Sequence, residues 1–332
     1  MVSYKDIQRK TGLSLATISK YYNGRTVLDA NRAAIEAAAA DLNYRPNPFA
    51  RGLRLQRSRT IGVLLPVLNN DFHLTIIAGA EESLRQDGMT VIVSSSPTPA
   101  EQAVELLMDR MVDGIIAIPS AHDVAPLQEA AERIPVVIVD WDASDLDVDR
   151  VLLDNERAGA LAAMHLLDHG HRRIGVVGGD ETVSTMRLRA AGYAAELLHA
   201  GVDLDASLQT SGPLTVDHGR TATAVLLGRR DRPTALFATN YELTMGAVIA
   251  VNESGLRMGR DVSLLGFDSL ELAQVTMPRL TIIEQPTRTI AKEAAAIMRK
   301  RLSEKHDPGE PRITRLIDPR LVPGGSVARL DD

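Results

Sequence analysis

Two sets of residues in this 332-residue chain have types and spacings that can do chemistry. The first lies in residues 15–20, LATISK. Wound as a helix, this stretch turns Ile18 inward and leaves Leu15, Ala16, Thr17, Ser19 and Lys20 available to a partner. A cation, hydroxyls and small apolar groups are what a recognition helix carries into a DNA major groove. The second set stands after short apolar runs: Asn69, Asn70, Phe72 and His73, then Ser120, then Asp140 and Trp141, then Asn240 and Tyr241, then Asp268 and Ser269. If those runs are parallel strands, the residues at their carboxyl ends converge on one crevice. Asp268 can hold neighbouring hydroxyls in paired hydrogen bonds, and Phe72 and Trp141 offer flat apolar faces to a sugar ring. Groups that hold and faces that stack describe a cleft for a small polar ligand.

Catalytic spacings are missing. No G-x-G-x-x-G follows the first apolar run, and neither a G-x-x-x-x-G-K-[ST] loop nor a G-x-S-x-G elbow occurs. The glycines of GVVGGD, residues 175–180, have the wrong spacing and read as a strand end. His165 and His169 share a helix face, but Leu166 stands where a zinc protease helix carries Glu. The expectation is a binding protein, not an enzyme, with no cofactor and no metal.

Short elements must position the first set. Ser3, with Asp6 three residues on, approximates a capping box, and Thr11-Gly12 ends the first helix. Ser14 caps the second, and Ile35, Ala39 and Leu42 mark a third. Tyr44-Arg45-Pro46-Asn47-Pro48 stops it, because proline disfavours helical geometry in the residue before it. Residues 49–58, FARGLRLQRS, place Phe49, Ala50 and Leu53 on one side of a possible helix, with Arg51, Arg54 and Arg57 around it. That piece is too short to be stable alone, and Gly52 weakens it by roughly a further 1 kcal/mol, so it is predicted to order only when docked.

From Thr60 onward, β-rich runs alternate with amphipathic helical segments. TIGVLLP, TVIVSS, GIIAIP and PVVIVD form one series and RIGVVGG, TALFAT and VSLLGFD a second. Helical segments lie between them, for instance near 155–169, 186–200, 217–228 and 241–254. Such alternation predicts two α/β lobes with parallel sheets covered on both faces.

Charge separates the same regions. Residues 1–58 hold ten Lys or Arg against four acids, a balance of +6, while the whole chain carries −6, which leaves −12 for residues 59–332. A basic head on an acidic body grips phosphates at one end only. Without cysteine the head has neither disulfide nor zinc-thiolate support and must be held by packing. No stretch reaches the roughly 20 apolar residues of a membrane span, and no apolar run follows a basic start, so a cytoplasmic protein without a membrane partner is expected.

KDIQRKTGLSLATISKYYNG, NRAAIEAAAADLNYRPNPFARGLR and RTIGVLLPVLNNDF, followed by DNERAGALAAMHLLDHGHRRIGVVGG, MRLRAAGY, SLLGFDS and LTIIEQP, occur in this order. In these blocks the chain resembles the lactose-repressor (LacI-type) family of bacterial transcription regulators over nearly its whole length. The resemblance implies a helix-turn-helix head and a two-lobed periplasmic-binding-protein-like clamshell body. It implies that Leu15, Ala16 and Lys20 face base edges, Lys20 suiting guanine O6/N7 and the other two a thymine methyl. Thr17, Ser19, Asn23 and Arg32 are placed to position the backbone. The hinge residues Ala50, Arg51 and Arg54 join the DNA contacts, and Leu53 becomes a minor-groove wedge paired with its copy in a second subunit. In the body the resemblance places Arg189 and Asp268 in the effector site, and Phe72, His73, Asp140, Trp141, Asn240 and Tyr241, which follow the apolar runs, complete the expected effector contacts. Three departures stand out: the loop NGRTV is one residue shorter than the common pattern, and Trp141 and Tyr241 replace charged residues with aromatic ones. Leu28 also stands where a hydroxyl cap is usual, which leaves Asp29 as the candidate cap of the third helix.

The expected organisation is a DNA-binding domain at 1–45, a hinge at 46–58 and an effector-binding and dimerisation body at 59–332. The body divides into lobe one, about 59–154 and 286–318, and lobe two, about 155–285 and 319–332. The expected function is a dimeric repressor of a near-palindromic operator, switched by a small molecule, a sugar or sugar derivative. A co-repressor-dependent or dual regulator with a non-sugar effector fits the same residues. A transport receptor of the same body fold would have no use for the head.

Overall fold

The computed structural model of the chain describes residues 2–22, 25–44, 57–68, 70–95, 100–119, 124–142, 146–268, 270–304, 307 and 309–330. Two compact units divide it, Met1–Ser58 and Arg59–Asp332. Asn23, Ala50, Arg51, Leu53 and Arg54, together with Asn69, Ser120 and Ser269, lie outside the described residues.

The first unit contains α1 (Tyr4–Thr11), α2 (Leu15–Tyr22) and α3 (Asp29–Asp41). Asp6 ties down the start of α1, its Oδ2 accepting from both the backbone N–H and the hydroxyl of Ser3 at 2.8 Å. Gly12 ends the helix in the left-handed region at φ 71°, where a side chain would be strained. Ser14 Oγ accepts the Thr17 N–H at 3.1 Å and so starts α2 as its spacing predicts. Asp29 corrects its expectation: it is the first helical residue of α3, and Leu28 occupies the cap position without a side-chain bond. The carboxylate of Asp29 still lies in the first turn, where it favours the positive helix end. Ile7, Ile18, Ile35 and Ala38 are buried at the centre. Around them Tyr4 stacks on Tyr22 at 5.2 Å between ring centres, and Tyr22 meets Tyr21 and Tyr44 edge-on at 5.0 and 5.5 Å. Burial and the neighbouring tyrosines push the Tyr22 hydroxyl up to about 12. This aromatic ring cluster supplies the packing that a metal or disulfide would otherwise supply.

The second unit begins with β1 (Thr60–Leu65), α4 (Asp71–Arg85), β2 (Thr90–Ser95), α5 (Ala100–Asp109), β3 (Gly114–Ala117), α6 (Val124–Ala131), β4 (Val136–Val139) and β5 (Asp149–Leu153). It continues with α7 (Asn155–Asp168), β6 (Ile174–Val177), α8 (Ser184–His199), β7 (Gln209–Thr210), α9 (Val216–Leu227), β8 (Ala235–Ala238), α10 (Tyr241–Ser254), β9 (Ser263–Phe267) and α11 (Leu270–Val275). It ends with β10 (Thr281–Glu284), α12 (Thr287–Ser303), β11 (Thr314–Ile317) and β12 (Arg320–Val322).

The strands form two six-stranded sheets, ordered β11-β5-β4-β3-β1-β2 and β12-β10-β9-β8-β6-β7. Pairing is parallel except for the antiparallel β10–β12 edge. Each sheet carries apolar clusters on both faces, as its fully buried strands β3, β4, β6, β8 and β9 and the nearly buried β1 require. The chain passes between the lobes after β5, between β10 and α12, and between β11 and β12. A buried ion pair fixes the return to lobe one: Arg301 of α12 donates through Nε and Nη2 to the two oxygens of Asp149 in β5, both at 2.8 Å. Asp149 Oδ1 also accepts the Ile313 N–H at 2.8 Å, so the partners carry enough hydrogen bonds to offset desolvation.

Candidate functional site

In the head, α2 buries Ile18 and presents the rest. Leu15, Ala16 and Lys20 are exposed on its surface, and Arg32 is exposed in the first turn of α3. Thr17 and Ser19 are half-buried, and the Thr17 hydroxyl lies 2.9 Å from Ser14 Oγ. On the surface of α2 a leucine left 38% exposed is costly in water and suited to an apolar partner, and the exposed Lys20 adds a hydrogen-bond donor.

In the body, Asp140 and Asp268 hold equivalent places in the two sheets, each just past the fourth strand of its series, β4 and β9. Both adopt the left-handed backbone, φ 57° and 76°, which turns the carboxyl sharply off the strand end. Arg189, in the second turn of α8, is almost completely buried. Its Nε donates to Asn155 Oδ1 at 2.8 Å and its Nη1 to the Thr239 carbonyl at 2.7 Å, while the guanidinium lies 3.7 Å over the Phe267 ring. Nη2 has no hydrogen bond among the described residues.

The electrostatics join these three groups. Burial pushes Asp140 up to about 7; Arg189 opposes that shift and Asp268 adds to it. Burial likewise raises Asp268 against the pull of Arg189, the Gln285 side-chain amide that donates to it, and the Tyr241 backbone. Burial lowers Arg189 while both acids hold it charged. Asp140 Oδ1 is enclosed without a hydrogen-bond partner among the described residues, although the residue as a whole is only partly buried. Two acids, one guanidinium with a free N–H edge and an acceptor without a donor form a site that a polyhydroxylated molecule can complete.

Phe72, Tyr241 and Asp268 line one cavity of about 380 Å³, with Gln285 and Pro286 at the strand-to-helix crossing. Asp140 lines a second space of about 270 Å³ with Asn155 and Ser184. Three candidates have other engagements. His73 is buried with Nδ1 2.9 Å from the Val67 carbonyl, and burial holds its imidazole below the usual value. Asn240 caps α10, its Oδ1 accepting the Leu243 N–H at 2.9 Å, and its amide donates to Glu242. Trp141 packs, partly buried, on the apolar cluster of lobe one that includes Leu64 and Ile115. Sequence reasoning missed Asn155 and Glu242. Asn155 lies at the start of α7, and only its contact with Arg189, 34 residues away, reveals it.

A family model described as a periplasmic binding protein-like domain matches residues 163–327. The ribose operon repressor of Haemophilus influenzae is 31% identical over 334 residues, 99% of this chain and all of that protein. The HTH-type transcriptional repressor PurR of Photobacterium profundum is 31% identical over 337 residues, covering both chains fully. A solved structure of the lac repressor dimer bound to operator and the anti-inducer ONPF superposes with a TM-score of 0.86 at 27% identity, covering 98% of this chain and 99% of the other. With full-length relatives that are repressors, a helical head and two parallel lobes, the chain belongs to the LacI family of transcription regulators.

Proposed function

We propose that the protein is a cytoplasmic, dimeric transcriptional repressor whose grip on a near-palindromic operator is set by a neutral, hydroxyl-rich effector, a sugar or sugar derivative. Leu15, Ala16 and Lys20 read bases from α2, while Thr17, Ser19, Asn23 and Arg32 hold phosphates. Ala50, Arg51, Leu53 and Arg54 complete the DNA contact, with Leu53 as the wedge. Two-fold pairing supplies the second half-site, as in the lac repressor dimer on its operator.

The observation that carries the effector reading is the setting of Arg189. Its guanidinium is fixed by Asn155, Thr239 and Phe267 with one N–H edge left over among the described residues, and the carboxyls of Asp140 and Asp268 both act on it electrostatically. Phe72 and Tyr241 wall a pocket that Asp268 also lines, and acceptor and flat faces together suit alternating hydroxyls on a ring. The ribose operon repressor among the relatives supports a sugar. The effector acts only through its differential affinity for the two lobe arrangements.

Selection of bound sites from random duplexes, followed by a thermal-shift screen of small metabolites, identifies operator and effector. Arg189→Ala is expected to keep operator binding in the absence of effector and to lose the effector response. A variant that responds normally would remove Arg189 from the site, and absence of any sequence preference under every metabolite condition would overturn the whole reading.

A further inference from the structure

Two asparagines, one in each lobe, point at the same carboxylate. Asn70 caps α4 of lobe one, its Oδ1 accepting the His73 N–H at 3.1 Å. Asn240 caps α10 of lobe two in the same way, accepting the Leu243 N–H at 2.9 Å. In each cap the oxygen is committed to a helix N–H, which leaves the amide nitrogen to donate to another group. Both nitrogens donate to Glu242, that of Asn70 to Oε1 and that of Asn240 to Oε2, each at 2.7 Å. Glu242 stands in the first turn of α10, so its carboxylate is bonded within its own lobe and across to the other.

We propose that Glu242 is the positioning residue of the switch, a clasp that fixes the resting separation of the two lobes. Charge-assisted bonds of this length are roughly twice as strong as neutral ones, and the positive ends of two helices face the same anion. Both ends are already oriented, the carboxylate by Asn240 and Asn70 by its cap on α4, so closing the interlobe bond costs little side-chain ordering. The other side of the interface offers a longer contact, the Asp142 N–H to Ser184 Oγ at 3.2 Å. The clasp lies beside the effector cavity, since Tyr241 lines that cavity and Asp268 acts electrostatically on Glu242. An effector that rearranges the lobes must therefore work against this bond or through it. The clasp itself needs no effector, so its failure would leave the assignment of Arg189 standing.

The chain has no cysteine, which allows clean spin labels at Glu105→Cys on α5 and Ala224→Cys on α9, both exposed and one in each lobe. Interlobe distances are read by pulsed electron paramagnetic resonance on effector-free protein diluted in unlabelled chain. Asn70→Asp keeps an oxygen to cap α4 but replaces the donor with a second carboxylate facing Glu242. It is expected to raise the population of longer distances about tenfold, the scale of one lost charge-assisted bond. Adding Glu242→Gln to Asn70→Asp restores a donor opposite an acceptor and is expected to return the short distance. A merely structural role for Asn70 predicts no such rescue. An unchanged distance distribution in Asn70→Asp, or a double variant as open as the single one, would overturn the clasp.

Discussion

Asp140 is an acid that the fold holds in its protonated form over part of the physiological range. Its pKa moves from the usual 3.8 to about 7, chiefly because the carboxyl is enclosed, with Asp268 adding to the shift and Arg189 resisting it. The folded chain therefore keeps a proton that the unfolded chain has lost. The stability this contributes is complete below about 4 and disappears as pH rises through about 7. His73, His165 and His171 have the opposite sign, because burial depresses each of them and their contribution is lost as pH falls below the unfolded value. Comparing thermal melts of wild type and Asp140→Asn across pH 5–8 cancels the histidines. The variant is expected to gain on wild type as pH rises, by about 2 kcal/mol at pH 8 relative to pH 5, after allowance for the partly open edge of the residue. Parallel melting curves would show that Asp140 is not held protonated. At this scale the sequence was informative wherever a residue ends a strand. Asp140 and Asp268 follow apolar runs, and both end up beside Arg189. Glu242 was not legible, because its meaning comes from an asparagine 172 residues away. Trp141 shows the reverse, a flat apolar face at a strand end that finds its partner in the core of its own lobe.

The elements hold Arg189 in place by an unusually close helix pair. A Cβ at Gly159 of α7 would lie 2.0 Å from the Arg189 carbonyl oxygen of α8, and one at Gly192 of α8 would lie 1.9 Å from that of Glu156. The backbones touch where only hydrogen fits, and this sets the distance over which Asn155 of α7 reaches the Arg189 guanidinium. Gly159→Ala must separate the helices. Overpacking of backbone on backbone is expected to cost about 3 kcal/mol, and calorimetry is expected to show a lower Tm together with weaker effector binding. An unchanged Tm would mean the pair relaxes without strain. The alternation of strands and helices was readable because buried parallel strands are continuous apolar runs. β5 escaped that pattern. Its sequence DRVLL opens with charges, and the inward Asp149 is tolerated only because Arg301, far along the chain, pairs with it. α6 carries Pro126 and so lacks an obvious helical signal, yet the proline stands in the first turn, where its missing N–H has no partner to lose. β7 and β12, two and three residues long, are too short for any periodicity to show.

At the scale of the molecule, the charge division decides how the protein discriminates one duplex from another. A head of +6 attracts any phosphate backbone, and a body of −12 is repelled by it, so non-specific binding falls to the head alone. Specificity then depends on whether exposed groups of α2 reach bases or phosphates, and salt separates the two. Affinity for a duplex falls with salt at a logarithmic slope of about −0.9 for each phosphate neutralised. Arg32→Ala, as a phosphate contact, is expected to weaken the selected and a scrambled duplex alike and to reduce the slope by about 1. Lys20→Ala, as a base contact, is expected to cost about 1–3 kcal/mol on the selected duplex and little on the scrambled one, with the slope preserved. Titrations of full-length protein at several salt concentrations measure both quantities together. If Lys20→Ala lowered both affinities and the slope equally, Lys20 would be one more phosphate contact, and base reading would fall to Leu15 and Ala16, whose apolar contacts leave the slope untouched.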